Sequence, residues 1–327
     1  MSTVDEGNQS GAGSASDSAV RETIVRIEGL SKRYEGVQAL EDVSLDILDN
    51  EVLALVGDNG AGKSTLIKSL TGVISPTAGR IFIRDETGEL TERTIEDPSD
   101  AQAAGIETVF QDLALSGQHD VASNVFMGRE PVMDGFVGRV LRRVDRPRME
   151  REASEALAEI GFQVDPTAPT AELSGGQQQA AAVARALISD PDIVLLDEPT
   201  AEGSVEGSEK ILELVGNLKS RRRTVVFISH NLEEVFEVAD RIAVLRDGKL
   251  VDVIENDGRF DRQDIVGLMT GAIASLDGHG AVNQAETAGD TEAADGTDAT
   301  HDGDDSAAAG DAGDVSVTEA RDETDDD

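Results

Sequence analysis

The run Gly57-Asp58-Asn59-Gly60-Ala61-Gly62-Lys63-Ser64-Thr65 constrains this chain more than any other stretch. It fits G-x-x-x-x-G-K-[ST], a loop whose backbone N–H groups turn inward around phosphates. Such a loop needs a strand before it and a helix after it, and both are expected. Glu51-Val52-Leu53-Ala54-Leu55-Val56 reads as a buried strand, and Ser64 to Leu70 reads as a helix start. The helix N-terminus would add partial positive charge. Lys63 would reach the β- and γ-phosphates and the Ser64 hydroxyl would ligate Mg²⁺. A chance glycine-rich turn explains neither the Lys-Ser pair nor its context. The implied ligand is a nucleoside triphosphate with its magnesium ion.

Two further segments narrow the reading. One is Leu173-Ser174-Gly175-Gly176-Gln177, and the other is Ile193-Val194-Leu195-Leu196-Asp197-Glu198-Pro199-Thr200. With them the chain resembles the ATP-binding subunits of ABC transporters, from about Val25 to about Met269. The resemblance implies an α/β fold, a P-loop NTPase of ABC type. Its core would be a mostly parallel sheet, with an antiparallel β subdomain and an α-helical subdomain at about 112–175.

The residue pattern supports the same class. Strands are expected at Thr23–Ile27, Val43–Ile47, Glu51–Val56, Arg80–Ile83, Glu107–Phe110, Ile193–Leu196, Thr224–Ile228 and Arg241–Leu245, with Arg246-Asp247-Gly248-Lys249 turning a hairpin into Leu250–Ile254. Helices are expected at Lys63–Leu70, Arg148–Ile160, Gln177–Ile188, Glu206–Arg221 and Leu232–Val238. Strands alternating with helices give a parallel sheet, and the early strands a small antiparallel one.

Charge excludes some functions. The net charge is −38, which argues against nucleic acid as a partner. Residues 276–327 hold 17 Asp and Glu against one Arg, which leaves 27 basic and 49 acidic residues elsewhere, a net of −22. Acid spread this way suits a protein that stays soluble at very high salt, and points to a halophilic, haloarchaeal host. There are no cysteines, hence no disulfide framework or thiolate metal site. Residues 1–22 are expected to be a disordered acidic segment and not a signal peptide, 23–275 the ATP-binding domain, and 276–327 a disordered acidic tail. No stretch approaches the roughly 18 consecutive apolar residues of a membrane span. The basic series Arg139, Arg142, Arg143, Arg146, Arg148 and Arg151 is read as a solvated helix face pairing with local Glu, with lipid headgroups or a transmembrane partner as the alternatives.

Hydrolysis needs positioning, charge neutralisation and an oriented water. Asp197 ends an apolar strand, where a carboxylate is costly unless paired or near a metal, so it is expected to hold Mg²⁺. Glu198 follows as the expected general base. The resemblance supplies the other roles. Gln111 corresponds to a glutamine that bonds Mg²⁺ or the water, in a loop that touches the membrane partner. His230 corresponds to a switch histidine that contacts the γ-phosphate and holds Glu198. Tyr34, the only tyrosine, corresponds to a ring stacked on adenine. Leu173 to Gln177 would grip the γ-phosphate of ATP bound to another chain. Glu202-Gly203-Ser204 departs from the family's usual Leu-Asp at 203 and 204, which puts cross-site coupling in doubt.

One phosphate loop and one Leu-Ser-Gly-Gly-Gln segment imply that two chains meet, most simply two copies of this one. The resemblance also implies permease subunits, indirectly a solute-binding protein, and a peripheral place on the cytoplasmic face of the membrane. Gln111–Leu115, Asn124–Glu130 and Leu173–Ala180 look most like importers of ribose, fructose or xylose. Importers of nucleosides or branched-chain amino acids remain open, as does a soluble ABC ATPase.

Overall fold

The computed structural model describes residues 21–135, 141, 143–200 and 205–276. Expectations for residues 1–20, Arg139, Arg142, Glu202 to Ser204 and residues 277–327 therefore lie outside the described residues.

Two sheets carry the chain. The larger has strand order β10-β9-β3-β8-β7-β6. Its strands β3 (Val52–Val56), β6 (Ile106–Val109), β7 (Ile193–Asp197), β8 (Thr224–Ile228) and β9 (Arg241–Arg246) run parallel, and β10 (Lys249–Glu255) closes the edge antiparallel. The smaller sheet is antiparallel, β2-β1-β4-β5, from β1 (Thr23–Tyr34), β2 (Val37–Leu48), β4 (Ala78–Arg84) and β5 (Leu90–Glu92). The expected hairpin is present, with Asp247 and Gly248 at positive φ in the turn between β9 and β10.

The parallel strands are covered on both faces, which is why they read as unbroken apolar runs. Alternate residues of β3 enter different cores. Leu53 and Leu55 join Ile27, Leu40 and Ile81 of the small sheet. Val52, Ala54 and Val56 join the helices of the opposite face. Each fully buried Leu or Ile contributes about 1.5–3 kcal/mol. Helix α1 (Lys63–Leu70) buries Leu66, Ile67 and Leu70 in the first core, which fixes the loop before it.

The small sheet is larger than the sequence suggests, because β1 and β2 extend as a long hairpin whose far residues are exposed. Helices α2 (Pro98–Ala103) and α3 (Val121–Val125) are too short to show a period. Helix α4 (Arg146–Glu159) carries three of the described arginines of the basic series, with Arg143 lying before it; Arg146 pairs with Asp120 and Glu150, Arg148 with Glu152, and Arg151 with Glu152 and Glu155. For these three arginines the face is solvated and locally paired, as expected. Between β6 and the 3₁₀ turn Thr170–Glu172 no strand of either sheet occurs among the described residues. Asn124, fully buried, ties this region together through its amide to Ser116, His119, Asp120 and Thr170. Helices α5 (Gly175–Leu187), α6 (Val205–Ser220), α7 (Leu232–Val238) and α8 (Arg262–Thr270) complete the order.

Candidate functional site

Four parallel strands end together, and each end carries a sequence-predicted group. Strand β3 runs into Gly57–Thr65, β6 leads to Gln111, β7 ends at Asp197 with Glu198 next, and β8 leads to Ser229 and His230. In α/β sheets ligands bind at this edge.

The loop after β3 is held by neighbours on three sides. Gly57 and Gly62 have φ of +156° and +106°. A Cβ on Gly57 would lie 2.4 Å from the Leu245 carbonyl oxygen, and one on Gly62 would lie 2.7 Å from that of Ala39. The Gly248 N–H donates to the Ala61 carbonyl at 3.1 Å, and the Glu41 N–H to the Gly248 carbonyl at 2.8 Å. Asp58, Asn59 and Gly60 face solvent, and a Cβ on Gly60 would meet nothing within 4 Å. Lys63 lies under the loop, its ammonium donating to the carbonyls of Gly57 (2.8 Å) and Asp58 (3.2 Å). Burial pushes its pKa down, against the pull of Glu198, Asp197 and Asp58. Ser64 and Thr65 open α1, with Ser64 exposed.

Burial, and then the neighbouring Glu198, pushes the Asp197 carboxyl above the usual carboxylate range. A cation would relieve both effects. Among the described residues no three His, Cys, Asp or Glu side chains gather as a metal cage. A carboxylate and a hydroxyl at a phosphate loop instead suit Mg²⁺, which takes few protein oxygens and completes its shell with phosphate and water. Asp197 and Ser64 fit that role.

Glu198 stands in the left-handed region, φ +47°, and its N–H donates to the Ile228 carbonyl at 3.0 Å. His230 Nδ1 is 3.6 Å from Glu198 Oε2, longer than a hydrogen bond. Sequence reasoning missed what anchors this pair. The Thr200 hydroxyl donates to Glu234 Oε2 at 2.7 Å, and the Ser229 hydroxyl donates to the same oxygen at 3.0 Å. Ser229 Oγ in turn accepts the Asn231 N–H at 3.0 Å. The proximity of Ser229 and Glu234 to His230 in the chain was the only available signal.

Gln111, Glu198, Gly175, Gly176 and Thr200 line one pocket. Ser174 caps α5, accepting the Gln177 N–H, while the Gln177 side chain bonds back to the Ser174 N–H. Leu173 packs against the helix-side core. Two missed residues join these parts. Arg185 of α5 donates to the carbonyls of Leu113 (2.6 Å) and Ala114 (3.1 Å), just past Gln111. Gln178 donates to Thr170 and Leu173. Tyr34 is 43% exposed, with Lys32 Nζ 5.1 Å from its ring centre. It pairs with Val37 in the hairpin whose Ala39 and Leu40 border Gly62.

A family model described as ABC transporter matches residues 40–201. The fructose import ATP-binding protein FrcA of Rhizobium meliloti is 42% identical over 254 residues, 77% of this chain and 95% of that protein. The ribose import ATP-binding protein RbsA 3 of Rubrobacter xylanophilus is 40% identical over 251 residues, 76% of this chain and 48% of that protein. The arabinose import ATP-binding protein AraG of Chromohalobacter salexigens is 38% identical over 251 residues, again 48% of its own length. The chain spans about half the length of these ribose and arabinose relatives. Among solved structures, the ATP-binding cassette MJ0796, a dimer bound to ADP and Pi, aligns with TM-score 0.60 at 26% identity, over 72% of this chain and all of that one. The cassette MJ1267 aligns with TM-score 0.63 at 24% identity, a likeness of fold.

Proposed function

This chain belongs to the ABC transporter family, and on that premise we propose that it hydrolyses ATP to drive import of a simple sugar through a membrane permease. The observation that carries the chemistry is the convergence of the phosphate loop, Gln111, Asp197–Glu198 and His230 on one edge of the parallel sheet. Bound ATP gives the Lys63 ammonium phosphate oxygens in place of the Gly57 and Asp58 carbonyls. The loop N–H groups and the start of α1 cradle the β-phosphate. The Tyr34 ring stacks on adenine. Ser64, Asp197 and Gln111 would hold Mg²⁺, which would supply charge neutralisation for phosphoryl transfer. Gln111 orients a water, and Glu198 takes its proton as its oxygen bonds the γ-phosphorus. The bond from that phosphorus to the bridging oxygen breaks, leaving ADP and phosphate. His230 steadies Glu198 and contacts the γ-phosphate.

The Leu173–Gln177 segment serves ATP on a second copy. Its own fold supports this reading, because Gly175 has open space where a Cβ would be. The solved dimer of a related cassette supports it too. Among the described residues no helix is long and apolar enough to cross a membrane. By likeness to the import relatives, the chain acts as a peripheral, cytoplasmic-face subunit, closing on ATP and passing motion through the loop around Gln111 to a permease fed by a solute-binding protein. The sugar assignment rests on the fructose, ribose and arabinose relatives.

The test is Glu198→Gln. Turnover should fall by roughly 10²–10⁴-fold while ATP binding persists, and light scattering should detect an ATP-trapped dimer. Wild-type turnover would remove Glu198 from the base role. We also read the net of −22 outside residues 276–327 as adaptation to high salt. Screening should relieve its self-repulsion, so the melting midpoint should rise from low to molar KCl; a flat or falling curve rejects the halophilic reading.

A further inference from the structure

We propose that Glu234 is a positioning residue for hydrolysis, fastening the chain after Glu198 to the chain before His230. The proposal rests on reading Glu198 as the base. A non-glycine residue in the left-handed region is strained and persists only where its surroundings fix it. Glu198 is such a residue, and it has an anchor on each side. Its own N–H is bonded to the Ile228 carbonyl at 3.0 Å. Two residues on, the Thr200 hydroxyl is bonded to Glu234 Oε2 at 2.7 Å.

The same carboxylate oxygen also secures the histidine side. It accepts the Ser229 hydroxyl at 3.0 Å, and Ser229 Oγ accepts the Asn231 N–H at 3.0 Å, so both neighbours of His230 are held. One oxygen thus binds the two segments that carry the pair 3.6 Å apart. Glu234 is only 8% exposed. A carboxylate buried there is costly unless hydrogen-bonded, and packing alone would be met more cheaply by an apolar side chain. Without this carboxylate the segment after Glu198 loses its downstream anchor. The Glu198 backbone can then relax out of the left-handed region and swing its carboxylate away from the water.

The test measures Mg-ATP turnover of the full chain as wild type, E234A, E234Q, T200V, T200V/E234A and E198Q, with the melting midpoint of each. In E234A, kcat should fall by about tenfold to a hundredfold, the cost of misplacing a reacting group, with KM for ATP unchanged. E234Q should restore most of the loss, because its amide oxygen accepts the same two hydroxyls. T200V/E234A should be no slower than E234A, since E234A already removes the tie that T200V cuts. If E234A turns over like wild type while E198Q is inactive, the positioning role is wrong and the base reading stands. If E234Q and E234A lose kcat, KM and melting midpoint alike, Glu234 is structural only and the proposal fails. If E198Q itself turns over normally, the base reading falls and this proposal falls with it.

Discussion

Two glycine-bearing loops lead into helices in this molecule, and their glycines are required for different reasons. Gly57 and Gly62 adopt backbone angles that a side chain resists, and a Cβ on either would strike atoms of this same chain. Their requirement is internal. Gly175 and Gly176 are the first two residues of α5 and do not stand at positive φ. A Cβ on Gly175 would meet nothing within 4 Å, and one on Gly176 would come no closer than 3.9 Å, to Gly207 Cα. Nothing in this chain's described surroundings asks for glycine there, although glycine costs about 0.5–1 kcal/mol against alanine in a helix. The space makes sense when something outside the chain comes close. The first loop is therefore shaped by its own fold, and the open space at the second suits the partner contact proposed above.

The sharpest way to break this contrast is Gly62→Ala. Its left-handed backbone and its contacts at 2.7 Å with the Ala39 carbonyl and 2.8 Å with Leu40 Cδ2 should cost about 1–3 kcal/mol. Denaturant unfolding of the nucleotide-free chain would show this, and ATP affinity should fall as well. Unchanged stability would mean that the loop is not held as described. Gly175→Ala should move stability the other way, by up to about 1 kcal/mol. ATP binding to the single chain should persist while ATP-dependent dimerisation and turnover fall. Full turnover in this variant would show that no partner enters the open space.

The smallest expected shift is in Asp197→Asn, which asks whether the strand-end carboxylate is a functional cost. Burial first, and Glu198 second, raise the folded pKa of Asp197. The folded chain thus binds this proton more tightly than the unfolded chain. Its stabilising share is complete below the ordinary carboxylate range and is lost as pH rises through the folded value. At neutral pH the ionised group opposes folding. The asparagine variant should therefore melt higher than wild type near neutral pH without nucleotide, and the gap should close as acid protonates Asp197. Magnesium-dependent ATP binding should weaken in the same variant. A lower melting midpoint at neutral pH would reject the account of Asp197 as a desolvated carboxylate.

Much of the fold is legible in the residues. Strands β3, β7 and β8 are short apolar runs because both faces of the central sheet are covered. Helix α7 matches its expected span, Leu232–Val238, and Asn231 caps it. What was missed has local causes. The ends of β1 and β2 beside their turn, Arg33, Tyr34, Val37 and Gln38, are exposed, so they lack the apolar alternation that announces a strand. Strand β5 is three residues long. Helices α2 and α8 carry capping boxes, Asp97 with Asp100 and Asp261 with Asp264, but their apolar patterns are too brief to stand out.

The candidate site divides in the same way. The identities of Lys63, Asp197, Glu198 and His230 were readable because each lies in or beside a motif at a strand end. Residue order alone names the available chemistry: a phosphate loop, a strand-end carboxylate pair and a helix-capping Ser-Gly-Gly. Periodicity and short motifs are local, and local patterns suffice for that. What holds these groups in place comes from contacts between distant segments. Thr200, Ser229 and Glu234 meet because β7 and β8 lie side by side in register, with Asp197 opposite Ile228. Arg185 reaches the carbonyls of Leu113 and Ala114, more than seventy positions away, because α5 and the loop after β6 are packed together. Such contacts depend on strand order, register and helix placement, which arise only when the whole chain has closed around its two cores.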